Sequence, residues 1–180
     1  MDPELAPDSA EDPAEAIEKK RTRTATPAAY PPRIDDIART EVLCSIRQLF
    51  SDGSVRDRDS TLHDLASVLG YQRLGKRVRE VLNTDLLTAV RRGILTNEGG
   101  TLRLTAQDIR NYDRNWLKES FLGALGRTWV SRDESFRQLA RWLGYARTGP
   151  NIEETARSLI RGLLREGRIE TDGTDRIRRT

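Results

Sequence analysis

The chain has very few of the residues that build covalent or metal-bound frameworks. Its 180 residues include one cysteine and one histidine, which excludes a disulfide framework and a Cys/His metal cage within one chain. No apolar run approaches the roughly 18 residues that a membrane-spanning helix needs. The N-terminus also lacks the basic-then-apolar pattern of a secretory signal. We therefore expect no metal, no cofactor, no membrane partner and a cytoplasmic location.

Hydrophobic residues and catalytic side chains are sparse as well. Aromatic residues make up 6% of the chain and all hydrophobic residues 36%, against 33% charged residues. This composition is thin for one large core and favours two small domains. His63 lies beside Asp64, but no set of nucleophile, base and orienting group can be assembled around it. Cys44 adjoins the apolar face of the first predicted helix, where a structural thiol is expected. The sequence thus does not predict an enzyme.

Charge is abundant and unevenly placed. Residues 1–18 hold seven acids and no base, whereas the rest of the chain has 31 bases against 21 acids. Residues 1–33 carry no apolar pattern, which predicts a disordered arm that is acidic first and then basic. Arginine outnumbers lysine by 27 to 4. The planar fork of arginine suits phosphate and guanine edges, although a biased genomic base composition explains the same excess.

An internal repeat organises the chain after this arm. A shift of 74 residues places Arg58–Leu95 on Arg132–Ile169 without a gap, and 12 of these 38 positions are identical. Both copies contain Leu-Gly-Tyr-x-Arg-x-Gly, and a shift of 75 aligns the apolar residues upstream. The sequence therefore contains two copies of a unit of about 70 residues, joined near Thr105–Asp113.

The two copies have the same predicted order of elements. In copy one, apolar spacing predicts a first helix capped by Asp35 or Asp36 and a second helix capped by Asp59 or Ser60, with a short extended segment between them. The Leu-Gly-Tyr turn then leads into a long third helix from residue 76 to about 92. A following Gly-Gly pair predicts a β-hairpin. The fold class is thus mostly α with small β-hairpins, an α+β fold.

Helix, short strand, helix, turn, helix and two-stranded ribbon is the order of a winged helix, and each copy resembles that fold. Together the copies resemble a tandem winged-helix protein, with domains at 34–106 and 107–180. The Leu-Gly-Tyr-x-Arg-x-Gly turn and a later Arg-Arg-Gly-Ile-Leu are also similar to a small accessory domain of unknown function at the C-terminal ends of large bacterial helicase–nuclease proteins. The chain itself lacks the Gly-x-x-x-x-Gly-Lys-Ser/Thr loop of a nucleotide-driven motor.

The third helix of copy one is the candidate reader of nucleic acid. In a helix-turn-helix, the second helix of the pair enters the major groove with its first turns near the bases. Cations at a helix start oppose the macrodipole, so they favour a phosphate or base partner, although a merely solvated basic face has the same composition. The candidate contacts of copy one are Arg73, Lys76, Arg77, Arg79, Asn83, Thr84, Arg91 and, on the hairpin, Arg103.

Copy two is predicted to be a poorer reader. Its third helix opens with Pro150 and carries Glu153 and Glu154 where phosphates would approach, an arrangement that suits the helix dipole. We infer that copy two contacts the nucleic-acid backbone through its wing, or else contacts protein. Its candidate contacts are Arg147, Arg157, Arg161, Arg176 and Arg178.

Two apolar residues indicate a protein interface and leave two interpretations open. Leu87 falls on the outer face of the third helix of copy one, and Trp142 on the outer face of the second helix of copy two. An exposed tryptophan indicates contact between the copies or with another chain. The first interpretation is a non-catalytic module for nucleic acid, with duplex DNA favoured, that serves a bacterial DNA-processing, defence or transcription system. The second is a protein-interaction scaffold or homodimer.

Overall fold

The computed structural model describes residues 31–180, so the predicted arm at 1–33 lies almost entirely outside the described residues. In the described part, helices and short strands follow one another in the same order twice. They comprise six α-helices and two three-stranded antiparallel sheets. The predicted α+β mixture is confirmed, and so is the repeated order of its elements.

The elements match pairwise between the copies. Copy one consists of a 3-10 turn (Ile34–Asp36), α1 (Arg39–Leu49), β1 (Arg56–Asp57), α2 (Arg58–Val68), α3 (Lys76–Arg91), β2 (Leu95–Glu98) and β3 (Thr101–Leu104). Copy two consists of a 3-10 turn (Ile109–Asn111), α4 (Arg114–Leu125), β4 (Val130–Ser131), α5 (Arg132–Trp142), α6 (Pro150–Arg165), β5 (Ile169–Thr171) and β6 (Arg176–Arg179).

Each hairpin pairs with the short strand that precedes the second helix of its copy. In copy one, β3 lies between β1 and β2, with Arg56 opposite Leu102 and Leu95 opposite Leu104. Copy two repeats this arrangement with β6 between β4 and β5. The short strand therefore fixes the hairpin beside the start of the second helix in both copies.

The starts of the first two helices differ from the prediction. α1 begins after Ala38, and Asp35 lies in the 3-10 turn ahead of it. α2 begins directly after β1, where the carboxylate of Asp57 accepts a hydrogen bond of 2.9 Å from the backbone N–H of Ser60. The predicted caps, Asp35 or Asp36 for the first helix and Asp59 or Ser60 for the second, are wrong. The extended residue that precedes the helix is Ala38 in one case and Asp57 in the other.

Each copy has its own hydrophobic core, and the third helix forms one wall of it. Leu82, Leu86 and Ala89 of α3 are at most 2% exposed, whereas Val78 and Val90 at the edges of the predicted stripe are half-buried. The predicted stripe of α6 is buried throughout, at Ile152, Ala156, Leu159, Ile160 and Leu163. The opposite faces of α3 and α6 are left for other contacts.

An equivalent tyrosine ties the start of each copy to its middle. The hydroxyl of Tyr71 donates to the carbonyl oxygen of Pro32 at 2.5 Å, and that of Tyr145 donates to the carbonyl oxygen of Gln107 at 3.2 Å. Both acceptors lie just ahead of the 3-10 turn of their copy. Burial raises the pKa of Tyr145 to about 12, so this hydroxyl keeps its proton and remains a donor.

A buried arginine joins the two copies. Arg47 of α1 is 7% exposed, and its guanidinium donates to the carbonyl oxygens of Leu143 at 2.8 Å and Ala106 at 2.9 Å and to the hydroxyl of Tyr112 at 2.8 Å. It also lies over the ring of Tyr145, 3.9 Å from the centroid. A buried cation is costly unless its donors are satisfied, so these partners hold α1 in one position against copy two.

The backbones of the two copies also approach closely. Gly144 follows α5 with a φ of 75°, and a Cβ built on it would lie 2.8 Å from the carbonyl oxygen of Leu43 in α1. Its repeat equivalent Gly70 has a φ of 88°, and the nearest atom to its Cβ would be 3.6 Å away. Residues 31–180 accordingly form one compact unit.

We predict that Arg47→Met destabilises the protein by about 3 kcal/mol, because methionine keeps much of the aliphatic bulk but leaves three buried acceptors without their donor. Urea unfolding followed by circular dichroism measures the loss. Gln48→Ala, at the exposed neighbouring position, is the control and should stay within about 0.5 kcal/mol of the parent. A loss at Arg47 as small as that of the control contradicts the role assigned to this side chain.

The two equivalent glycines give a second prediction. Gly70→Ala should cost only the left-handed backbone conformation, about 1–2 kcal/mol. Gly144→Ala should cost about 1–3 kcal/mol more, since its new methyl group overlaps the Leu43 carbonyl and the copies must move apart. The same unfolding assay compares the two variants. Equal losses show that the copies do not pack as closely as described.

Candidate nucleic-acid interface

The start of α3 presents two exposed cations. Arg73 lies in the turn before the helix and Lys76 is its first residue, and both are exposed. Neither forms an ion pair within residues 31–180. The N-cap residue is Gly75, which has no side chain to occupy the first backbone N–H groups. This end of the helix therefore combines free positive charge with open donors, a combination that attracts anions.

The next predicted contact, Arg77, is held by the 3-10 turn of copy one. Its guanidinium donates to both carboxylate oxygens of Asp35, at 2.5 and 3.2 Å, and Glu80 lies 3.8 Å away. The hydrogen bond from Arg77 lowers the pKa of Asp35. A cleft of about 370 Å³ separates the turn from α3 and is lined by residues that include Arg39 and Asp85. In the structure, Arg77 thus forms an ion pair with the carboxylate of Asp35.

Two of the next three predicted contacts on α3 bind side chains at the start of α2. Arg79 forms an ion pair of 2.8 Å with Asp59. The side-chain oxygen of Asn83 accepts a hydrogen bond of 2.7 Å from Arg58. The hydroxyl of Thr84 donates to a backbone carbonyl one turn earlier at 2.9 Å. All three predicted contacts are therefore exposed or half-buried on α3, but each is engaged with a neighbour.

The remaining predicted contacts of copy one are more widely spaced. Arg91, the last residue of α3, is exposed and has no ion pair within the described residues. Arg103 on the hairpin pairs with Glu98 at 2.7 Å. Glu80 lies one turn after Lys76 on the same exposed face. Among the predicted contacts of copy one, the cations that have no ion pair within the described part are thus at the two ends of α3.

In copy two the second 3-10 turn is fastened to the start of α6. Asp108 accepts two hydrogen bonds of 3.0 Å from Arg110 and one of 2.8 Å from the side-chain amide of Asn151. These contacts, the Arg110 hydrogen bond foremost, lower the pKa of Asp108 to about 2. A carboxylate is therefore held beside the first turn of α6 through the side chain of Asn151.

Most predicted arginine contacts of copy two are also paired with acids. The pairs are Arg157 with Glu153, Arg176 with Asp172 and Arg178 with Glu170. Arg178 additionally lies 4.6 Å from the ring centroid of Trp129. By contrast, Arg147 and Arg161 are exposed and form no ion pair with any of residues 31–180.

The two predicted interface residues have different surroundings. Leu87 is 41% exposed. Trp142 is half-buried between the copies, where the guanidinium of Arg92 lies 4.0 Å from its ring centroid. Its repeat equivalent, Val68, is 55% exposed. Of the alternatives considered for Trp142, the structure therefore shows the contact between copies.

Sequence reasoning missed the residues that act over long chain distances. Asp35 was assigned to a helix cap, although it pairs with Arg77 across 42 positions. Arg47 was not singled out, and the only local signal was a charged residue next to the buried Ile46 where copy two has Leu122. Arg114 at the start of α4 was also missed. None of these pairings has a spacing pattern in the sequence.

Within residues 31–180, no group of three His, Cys, Asp or Glu side chains is placed to hold a metal ion. None of the helices there is long and apolar enough to cross a membrane. No protein family, curated protein or solved structure matches the chain. A function therefore has to be inferred from the chemistry of the surface itself.

The Asp108 contacts generate a prediction about pH. Because the folded-state pKa of about 2 lies below the unfolded value near 4, Asp108 contributes stability above pH 4 that is lost as the pH falls through 2. Asp108→Asn should therefore be less stable than the parent at pH 6, with a difference that shrinks between about pH 4 and pH 2.

An NMR titration of the carboxyl group provides the independent measurement. Arg110→Gln removes the largest cause of the shift and should raise the pKa of Asp108 toward its ordinary value, while leaving the Asn151 contact in place. A parent protein in which Asp108 titrates near 4 contradicts the described fastening of the turn to α6.

Proposed function

We propose that the chain is a non-catalytic module that binds nucleic acid, with duplex DNA as its ligand, through the start of α3. The observation that carries this proposal is the pair Arg73 and Lys76, which are exposed and lack a carboxylate partner within the described residues. Both cations lie at the N-terminal end of α3, where the positive end of the helix dipole disfavours them. A phosphate or a base edge supplies the interaction that the fold does not.

The element order supports a winged-helix interpretation of each copy. In copy one, β1 pairs with the hairpin of β2 and β3, and α3 follows α2 after a short turn. This arrangement is compatible with a helix-turn-helix followed by a wing, the fold that the sequence resembles. We therefore propose winged-helix domains at 34–106 and 107–180, with α3 as the helix that enters the major groove.

The ion pairs of α3 are compatible with this role. Arg77 and Arg79 are bound to exposed carboxylates of Asp35 and Asp59. Exposed ion pairs contribute little net stability, and a phosphate offers the same guanidinium a bidentate partner of higher charge density. On binding, these arginines exchange a carboxylate for a phosphate, while Arg73 and Lys76 bind without breaking an ion pair.

The hairpin and the second copy extend the proposed surface. Arg103 on β3 and Arg147 before α6 lie at positions where a wing and a turn contact the backbone of a duplex. By its resemblance to accessory domains of helicase–nuclease proteins, the chain is proposed to serve as a regulatory part of a bacterial DNA-processing, defence or transcription system.

A protein-interaction scaffold is the second candidate, favoured by one observation. Three large apolar side chains of copy one are exposed, Val55 at 59%, Val68 at 55% and Leu87 at 41%. Under this second proposal, these exposed apolar side chains contact another chain. Light scattering that shows a dimer surviving high salt, and lost in Leu87→Glu, supports this function over the first.

The nucleic-acid proposal predicts a specific change in salt dependence. For a short fluorescent duplex, the logarithm of affinity should fall linearly with the logarithm of salt concentration, and Lys76→Ala should reduce the slope by about 1. Asp35→Asn should raise the affinity, because it removes the carboxylate that competes with phosphate for Arg77. Fluorescence anisotropy measures both effects.

Arg127→Ala is the matched control, since Arg127 is exposed and has no ion pair in the described part but lies in the α4–β4 turn outside the proposed surface. It should keep the slope of the parent. A parent chain that binds no duplex at low salt, or a Lys76→Ala variant that behaves as Arg127→Ala does, refutes the proposed function of α3.

A further inference from the structure

Three arginines converge on a groove in copy two, away from the start of its third helix. Arg114 comes from the start of α4, and Arg161 and Arg165 from the C-terminal half of α6. Together with Ser158 and Leu164 they line a groove of about 580 Å³, which we call the Arg114 groove. Its lining contains three cations and no acid.

Neutral partners hold two of these arginines in place. The guanidinium of Arg114 donates to the hydroxyl of Ser158 at 3.1 Å and to its carbonyl oxygen at 3.3 Å. Arg165 donates to the carbonyl oxygen of Arg161 at 3.3 Å. Among residues 31–180, no carboxylate forms an ion pair with any of the three. Their positive charges are therefore positioned without being neutralised.

Two exposed acids of copy two, one of them next to Arg165 in the chain, are engaged elsewhere. Glu166 accepts a hydrogen bond of 2.5 Å from Lys118, which is the main reason for its lowered pKa, with Arg168 and Arg165 contributing at longer range. Glu119 is paired with Arg168. These contacts keep both carboxylates from pairing with the guanidinium groups of the groove.

Copy one provides an internal comparison at the same place in the fold. The equivalent of Arg114 is Arg39, which is bound at 2.8 Å to the buried carboxylate of Asp85. The equivalent of Arg161 is Leu87. Two of the three cationic positions are thus neutralised or apolar in copy one, so the fold does not require an open arginine cluster here.

The cluster has little value for folding. Arg114 stands at the start of α4, where a cation opposes the helix dipole, while Arg161 and Arg165 are like charges one turn apart. Only Arg165, in the last turn of α6, is favoured by the dipole. An anionic ligand offsets these unfavourable interactions all at once.

We propose that the Arg114 groove binds phosphate groups of a nucleic-acid backbone. Copy two then contacts the nucleic acid through this groove and not through its wing. This inference rests on the proposed function and assigns a subsite to it. Arginine forks bind phosphate oxygens in pairs, and the Ser158 hydroxyl adds a polar contact. The groove has one apolar lining residue, Leu164, and so offers little to the apolar side chains that anchor a protein partner.

The test compares variants of the full chain by duplex anisotropy across a salt series from about 50 to about 200 mM. Arg161→Leu, which installs the residue of copy one, should reduce the salt slope by about 1, and the double variant Arg114→Gln/Arg161→Gln by about 2. Arg127→Gln removes the same charge at the other end of α4 and should leave the slope unchanged. Urea unfolding checks that each variant is folded.

Two outcomes separate this inference from the proposed function. If Lys76→Ala lowers the slope but the groove variants keep it, the α3 proposal stands and the groove proposal is overturned. If the parent binds no duplex, the proposed function fails, and NMR of the arginine Nε–H groups with inorganic tripolyphosphate decides the groove alone. Shifts of the Arg114 and Arg161 resonances in the parent, together with loss of the Arg114 shift in Arg161→Leu, support the groove proposal. Resonances that stay unchanged in the parent overturn it.

A third arm addresses a different class of ligand. Poly-glutamate is titrated as a competitor against the duplex at equal charge concentration. Weak competition supports recognition of phosphate by the guanidinium forks. Competition as strong as that of unlabelled duplex overturns the phosphate proposal in favour of an acidic protein partner.

Discussion

The position of copy two relative to copy one depends on the buried guanidinium of Arg47. Its three hydrogen bonds end on the turn after α5 at Leu143, on the segment between the copies at Ala106, and on Tyr112 of copy two. A buried cation tolerates few alternative arrangements, since each lost hydrogen bond leaves a polar group unsatisfied. Arg47 therefore acts as a positioning contact that joins two small cores, each thin on its own, into one unit.

This junction gives equivalent positions in the two copies different environments. Val68 is exposed on copy one, whereas its equivalent Trp142 lies under Arg92 between the copies. A Cβ on Gly70 would make only an ordinary contact with Pro31 at 3.6 Å, whereas one on Gly144 would lie 2.8 Å from the Leu43 carbonyl oxygen. The two copies therefore share a fold but differ in their surfaces. The contact between them uses different positions of the repeat in copy one and in copy two.

The same divergence changes the partner of one pair of equivalent arginines. In copy one, Arg39 is bound to the buried carboxylate of Asp85. Copy two keeps Arg114 and Arg161 free of acids in a groove with neutral partners. Under the proposed function, a nucleic acid bound by both copies would replace ion pairs on copy one and contact arginines without ion pairs on copy two.

Local patterns in the sequence were sufficient for the repeat, the element order and the bounds of α3, which ends at Arg91 where about residue 92 was predicted. They were also sufficient for the buried stripe of α6, because apolar spacing and turn glycines act within a few residues. The Asp35–Arg77 pair, the Arg47 junction and the Arg114 groove join residues 42 to 96 positions apart. Only the packing of the helices decided them, because an ion pair depends on which side chains meet in space and leaves no periodic signal in the chain.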